Sequence, residues 1–567
     1  MTKPPVEKKR VKKILLRPIE EVAKYAGIRK GFFEVCSPYT AKLSIDILRS
    51  SKKKNVGKYV LVTSITPSPT GEGKTLTAIG LSMAFNRLKK RSIACIPQPA
   101  LGGVLGLKGV GSGGGMSQVL PVEDANLHLT GDIHAVESAH NLCAAVIDNS
   151  IFHGNPLDID ASSITWPRVV DANDRSLRNV NVGLGSKTDG VARKTFFETT
   201  ISSELMSILS LAENFKDLRE RIGRITLGFT KKGKPFTCED LKVAGAMAVL
   251  LREAFKPNLL QTSEGTPCLV HTSSFGNSSI GSSSVVADKM AIRLSEYVVS
   301  EASFGVDTGA EKFFNIKCKQ SGLIPDVCVL TCSTRSFKMH SGDFELNGGG
   351  KVPRELLREN VSAVERGLSN LERQIDNLQI FGVPIVVCIN RYNEDTEKEL
   401  RAIEKRAMNL GVAGVIISNA ASMGGEGGLD LAKAVIEACK IKKNFRFLYP
   451  MDMSIKDKIR RIAKSVYGAR EVVFSEEADK KAIHFKKLKL DDLPVCIFKT
   501  HLSLSHNPKR KGRPHGFKFP IEDLRICSGA GYVAAISSNV KAMPGLPKIS
   551  RLSKIDLTED GRILGLF

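Results

Sequence analysis

The stretch Thr63-Ser-Ile-Thr-Pro-Ser-Pro-Thr-Gly-Glu-Gly-Lys-Thr-Leu-Thr77 constrains this chain more than any other. It follows Tyr59-Val-Leu-Val62, an apolar run of strand length, and precedes Ala78-Ile-Gly-Leu-Ser-Met-Ala-Phe85, which has helical character. A glycine-rich turn from strand into helix aims backbone N–H groups and a helix N-terminus at one point, where Lys74 adds a positive charge. The expectation is a phosphate site built from Thr66, Pro67, Ser68, Pro69, Thr70, Gly71, Glu72, Gly73, Lys74 and Thr75. The strict P-loop pattern places a glycine five residues before Gly73, where Ser68 stands between two prolines, so the loop is a variant. An ordinary Gly-rich strand–helix turn is the plainer alternative, against which Gly-Lys-Thr at a helix start is the more specific signal.

A second short strand, Arg91-Ser-Ile-Ala-Cys-Ile96, follows the helix, and strand–helix–strand at this spacing predicts a parallel sheet. Similar apolar runs at Tyr297-Val-Val299, 326–331 and 384–390 are expected to continue it. The predicted fold class is α/β: a parallel-sheet, P-loop-like nucleotide-binding domain with two further α/β domains. The first domain takes residues 1–145 and 296–380, with 1–16 as a basic tail. Residues 146–295 form an inserted α/β domain and 381–567 a C-terminal one.

Two other segments invite a ligand. Residues 102–115 hold eight glycines in fourteen positions, which suggests backbone drawn closely around a ligand. The polar run from Thr272 to Ser284 is a loop able to close over one. Glu123, Asp124, His128, Asp132 and His134 crowd one stretch, but two histidines six apart across a glycine are poor metal ligands, and structural hydrogen bonding is the better expectation.

Composition is that of a soluble globular chain, and no apolar run approaches the length needed to span a bilayer. Twelve scattered cysteines without a CxxC pair, together with a polar N-terminus, point to reduced thiols and a cytoplasmic location. The net charge of +24 has clusters at 8–13, 52–54, 89–91, 440–443 and 509–513. Such charge steers anionic small molecules, marks a nucleic-acid footprint, or is dispersed over solvated faces. With no nucleic-acid module, eight Tyr and one Trp, nucleic acid is the weaker partner.

From about residue 17 to Phe567 the motifs resemble the formate–tetrahydrofolate ligase family. They are Thr66–Thr75, Leu107-Lys-Gly109 with Gly113-Gly-Gly115, Asn126-Leu-His-Leu-Thr-Gly-Asp132, Lys256-Pro-Asn-Leu-Leu-Gln-Thr262, the Gly309–Lys317 run, and Thr500-His-Leu-Ser-Leu-Ser-His-Asn-Pro508, the last closer to eukaryotic, monofunctional members. The resemblance implies a homo-oligomer that uses ATP, Mg²⁺ and formate to convert tetrahydrofolate into 10-formyltetrahydrofolate through formyl phosphate. Lys74 is then the catalytic cation on the phosphate, and Thr75 is placed for Mg²⁺ through the nucleotide. Three positions depart from the family pattern. Pro97 stands where an arginine is expected to grip formyl phosphate, Ile280 where a polar histidine is expected, and Ala421 where a tryptophan is expected to stack on folate. Two expectations follow. One is an active ligase in which Lys108, Arg335 or Lys338 compensates. The other is a homologue that has lost catalysis and keeps nucleotide binding, as a scaffold, a regulator or a basic RNA- or polyanion-binding protein.

Overall fold

The computed structural model describes residues 15–50, 57–106, 111–186, 188–273, 275–346, 352–537, 540–548 and 551–566. Twelve strands make its central sheet. They are β1 (Phe33–Ser37), β2 (Thr40–Leu43), β3 (Lys58–Ser64), β4 (Ser92–Ile96), β5 (Gly113–Gly114), β6 (Ser117–Leu120), β7 (Asn258–Thr262), β8 (Pro267–Val270), β9 (Tyr297–Glu301), β10 (Val327–Cys332), β11 (Ile385–Asn390) and β12 (Gly414–Ser418). Their spatial order is β1-β2-β7-β8-β4-β9-β3-β10-β11-β12, with the β5–β6 hairpin joined to β7. Every neighbouring pair from β8 to β12 is parallel. Antiparallel pairing of β1, β2, β7 and β8 finishes the opposite edge.

This is the α/β class that the apolar runs predict. Strands β4, β8, β10 and β11 are buried along their whole length, so both faces are covered and the sequences read as continuous apolar runs without alternation. Helix α1 (Lys74–Arg87) is buried without a break from Thr77 to Phe85, and Phe85 stacks on Tyr297 of β9 with ring centroids 4.3 Å apart. The sheet draws strands from all three segments set apart in the sequence: β7 and β8 lie within 146–295, and β11 and β12 within 381–567. A separate three-stranded sheet, in the order β13 (Val495–Phe498), β15 (Tyr532–Ile536), β14 (Asp523–Cys527), follows in the last third of the chain.

Helix α2 (Asp132–Phe152) buries Ile133, Val136, Ala139, His140 and Cys143 on one face. Its first residue, Asp132, accepts from Lys42 Nζ at 2.6 Å and Asn258 Nδ2 at 2.8 Å, a structural role like that expected for the acidic stretch. The twelve cysteines are free thiols. Among the described residues, no helix is long and apolar enough to cross a membrane.

Lys499 follows β13 and is fully buried against the equally buried Asp307, at 2.6 Å. Its ammonium also donates to Thr500 O at 3.0 Å and Ser503 O at 2.6 Å. Removing one partner of such a pair leaves an uncompensated buried charge. Lys499→Met is therefore expected to lower the unfolding free energy by about 3–5 kcal/mol, read as a shift in the urea midpoint. A loss below about 1 kcal/mol, the range of exposed pairs, would contradict the role given to this contact.

Candidate active site

Strand β3 ends at Ser64 and α1 begins at Lys74, so the phosphate loop lies at the carboxyl edge of the parallel strands, where α/β sheets leave room for ligands. Gly73 caps α1 with φ +71°, and a Cβ there would come within 2.7 Å of Asn390 Nδ2. Conformation and packing both require glycine. Asn390, at the end of β11, donates to Glu72 O at 2.8 Å and Thr77 Oγ1 at 2.9 Å. Helix α1 has no side-chain cap, so its leading N–H groups stay open to an anion.

Glu72 turns inward, where its carboxylate accepts from Ser68 N at 2.7 Å and Ser68 Oγ at 2.9 Å. Burial raises its pKa, and the neighbouring Lys74 charge opposes the rise. Ser68, the departure from the strict loop pattern, is thus the residue that Glu72 clamps. Pro67 is buried, Pro69 exposed, and Thr70, Gly71, Lys74 and Thr75 half-buried.

Thr66, at the loop's start, is fully buried. Its Oγ1 accepts from Asn370 Nδ2 at 3.0 Å and Gln374 Nε2 at 2.8 Å, both on helix α3 (Val361–Gln379). Its N–H donates to Asn370 Oδ1 at 3.0 Å, and its carbonyl pairs with His340 Nε2 at 2.7 Å. Burial lowers the His340 pKa to about 4, so the ring is neutral and donates to that carbonyl. Gln374 Nε2 also reaches Asp307 Oδ1 at 2.6 Å, joining Thr66 to the Asp307–Lys499 pair. Thr66 therefore anchors the loop from beneath. None of its partners was marked by the sequence motifs, although three inward polar residues on one helix, Asn370, Gln374 and Asn377, were a readable signal.

Strand order sets three further segments beside the loop, since β9, β4 and β8 follow β3 across the sheet. After β4, Gln98 is 2% exposed, and neither side-chain amide atom has a protein partner. Its N–H donates to Thr272 O at 2.6 Å in the Thr272–Ser284 loop. Thr272 holds φ +56°, a costly conformation for a β-branched residue and one found where a site demands it. Phe304, after β9, has φ +59° and stacks on His501 at 4.3 Å, while Asn277 Nδ2 lies 3.2 Å from His501 Nδ1. Lys312, fully buried, donates to Gly276 O at 2.7 Å and Asn277 O at 3.1 Å and so pins this loop.

Pro97 directly follows β4 and brings neither charge nor N–H. Ile280 is fully buried within the main apolar core. Ala421 lies in the short helix Ala420–Met423, and its carbonyl accepts from Met116 N at 2.8 Å. Gly115, φ +57°, permits that approach, since a Cβ there would meet Ala421 O at 2.1 Å. At this point the glycine-rich segment clears protein backbone. Lys338, weighed as compensation at 97, is buried and paired with Glu399 at 2.7 Å. Arg335 pairs with Glu394 at 2.7 Å and stacks over Tyr392. Lys108 and the clusters at 8–13 and 52–54 lie outside the described residues. His128 and His134 are exposed, and among the described residues no group of three or more metal-ligating side chains is found.

Sheet, glycine loop and uncapped helix together define an α/β protein with a glycine-rich strand–helix loop at the carboxyl edge of its parallel strands. Comparison with known proteins narrows that class. The family model for formate–tetrahydrofolate ligase matches residues 8–567. The chain is 48% identical over 550 residues to formate–tetrahydrofolate ligase of Desulforamulus reducens, covering 97% of each. It is 47% identical over 560 residues to the enzyme so named in Chloroflexus aurantiacus, covering 97% of this chain and 98% of the relative. The chain belongs to the formate–tetrahydrofolate ligase family.

Two outcomes follow from the geometry. Gly73→Val strains the loop backbone and drives a side chain into Asn390, so the rise in melting temperature on adding Mg-ATP should vanish; an unchanged rise would rule out the loop as the nucleotide site. Glu311 is fully buried and accepts from Asn315 Nδ2 at 2.7 Å, and burial raises its pKa from 4.5 to about 7. Because the folded pKa is the higher one, stability from this group is full below about 4.5 and is lost as pH rises through about 7. Glu311→Gln should flatten the decline of the urea midpoint over that window. An equally steep decline in the variant would refute the assignment.

Proposed function

We propose that this chain binds Mg-ATP at Thr66–Thr75 and uses it to formylate tetrahydrofolate to 10-formyltetrahydrofolate through formyl phosphate, at a rate lowered by Pro97, Ile280 and Ala421. The observation that carries the reading is the intact loop: Gly73 locked by Asn390, an uncapped α1 and a half-buried Lys74 at its first position, in a chain 48% identical to a named ligase. Lys74 and the leading N–H groups of α1 hold phosphate oxygens and offset the charge that gathers as the phosphoryl group moves to formate. The donor set also fits Mg²⁺, which would sit with the Thr75 hydroxyl and neutralise charge between phosphate oxygens when the nucleotide is bound. Glu72, clamped by Ser68, keeps its carboxylate off the anion. Formate, ATP and tetrahydrofolate are the small-molecule partners of this reading, a homo-oligomer the expected assembly, and the cytoplasm the expected location.

A second reading, nucleotide binding without ligation, is favoured by one specific set of observations. Pro97 supplies no donor, Ile280 is sealed in the core, and Lys338 and Arg335 are already paired. Losing one electrostatic group aimed at the reacting centre commonly costs about 10²- to 10³-fold in rate.

Turnover with formate, Mg-ATP and tetrahydrofolate separates the two. Product above background supports ligation, and none, under conditions where a reference ligase is active, overturns it. Pro97→Arg with Ala421→Trp is expected to raise the rate by about tenfold or more. Ile280→His places an imidazole in an apolar core and should cost about 1–3 kcal/mol in stability, so it is introduced last. No gain from the first two would dismiss them as the cause of a slow enzyme.

A further inference from the structure

The basic cluster at 509–513 meets the anchor of the Thr66–Thr75 loop. Asn370 Nδ2, which donates to Thr66 Oγ1, also donates to Gly512 O at 2.8 Å. Gly512 holds φ +64°, and a Cβ there would lie 2.9 Å from Ser369 Oγ on α3 and 3.4 Å from His340 O. The turn therefore requires glycine. On the other side Ser503 Oγ donates to Arg510 O at 2.6 Å. Lys511 is thus tied in place from both neighbours.

Lys511 is half-buried, and its ammonium donates to Leu502 O at 3.3 Å, one long bond for a group with three N–H donors. Among the described residues no carboxylate pairs with it: Asp307 is taken by Lys499, and Glu372 and Asp376 by Arg513. Burial alone lowers its pKa. Every buried lysine among the described residues offsets that cost with a carboxylate, as Lys338 and Lys499 do, or with two carbonyls, as Lys312 and Lys458 do. Lys511 has a single carbonyl, so its missing partner is an anion from outside the chain.

Its surroundings say which anion. Burial first lowers the His340 pKa and the Lys511 charge lowers it further, which sets Lys511 close to the ring that donates to the Thr66 carbonyl. Leu502, whose carbonyl it touches, follows His501, which stacks on Phe304 after β9. Lys511 therefore belongs to the carboxyl edge, and both of its links, through Asn370 and through His340, run to the start of the Thr66–Thr75 loop. That favours a phosphate over the carboxylates of a folate. We propose that Lys511 is an anion-binding residue that holds a phosphate oxygen of the nucleotide seated on the Thr66–Thr75 loop, a reading that rests on the nucleotide function proposed for that loop. It supplies the edge with a cation that Arg335 and Lys338, committed to Glu394 and Glu399, do not.

Titration calorimetry of Mg-ATP on the full chain, without formate or folate, tests this. Lys511→Met should weaken Mg-ATP by about tenfold, and Lys511→Arg, which keeps the charge, should restore most of the affinity. Lys509→Met, two residues away on the exposed side of the same cluster, should bind as the wild type does. Tetrahydrofolate triglutamate should bind wild type and Lys511→Met equally. Without ligand, Lys511→Met should melt at or above the wild-type temperature, because the charge it removes has no counter-ion; a lysine serving the fold would lower it. Equal Mg-ATP affinity in wild type and Lys511→Met overturns the proposal, as does equal weakening by Lys509→Met. So does a loss that falls on the triglutamate, or a lower ligand-free melting temperature in Lys511→Met. A wild type that binds no Mg-ATP overturns the nucleotide reading of the loop and this proposal with it, whereas tight binding undiminished in Lys511→Met overturns the role of Lys511 alone.

Discussion

The Thr66–Thr75 loop depends on a buried polar cluster beneath it. Thr66 is engaged through its N–H, its carbonyl and its hydroxyl by Asn370, His340 and Gln374, and Gln374 passes the linkage to Asp307 and Lys499. Each of these groups is expensive to bury alone, and each is acceptable because the others are present. The cluster fixes where the Pro-Ser-Pro segment starts on its approach to the Gly71–Gly73 turn. Asn390 fixes the far end of that turn, so the loop is held at both ends by elements far away in sequence.

With its supports inside the protein, the loop is insulated from changes on the neighbouring side of the crevice. Residues 97, 280 and 421 follow β4, fall in the Thr272–Ser284 loop and fall after β12, and none of them contributes a side-chain hydrogen bond to the cluster. Proline and isoleucine at the first two positions have no hydrogen-bonding side chain to offer. At 421 the small side chain accompanies a main-chain bond to Met116, with Gly115 drawn to the Ala421 carbonyl. The support of the loop and the side chains at 97, 280 and 421 are thus separable features of this fold.

Much of this organisation was legible in the sequence. The strands at β3, β4, β9, β10 and β11 announce themselves as β-branched runs, because strands buried on both faces carry no polar alternation. The loop is legible because Gly73 and Lys74 answer a backbone requirement. The β7–β8 hairpin was harder: Asn258, Gln261 and Thr262 are polar but buried, satisfied by partners such as Asp132 and the backbone of Arg17. Pairing across such distances leaves no local mark. The same holds for the segments drawn at 146–295 and 381–567, whose strands join one sheet through register that composition does not encode. Gln98 and Thr272 were invisible for a different reason, since an orphan amide and a left-handed threonine are properties of packing.

The distance along the chain between the loop and its anchors also bears on how the protein is made. Thr66 and Asn370 are 304 residues apart, and Glu72 and Asn390 are 318 apart. Lys499 lies further still along the chain. At translation rates of about 5–20 residues per second, the Thr66–Thr75 loop leaves the ribosome roughly 20–90 s before Lys499 does. For that interval the loop lacks the groups that shape it, and its buried apolar strands lack their neighbours. The loop takes its final shape only in a chain whose synthesis has passed the last anchor.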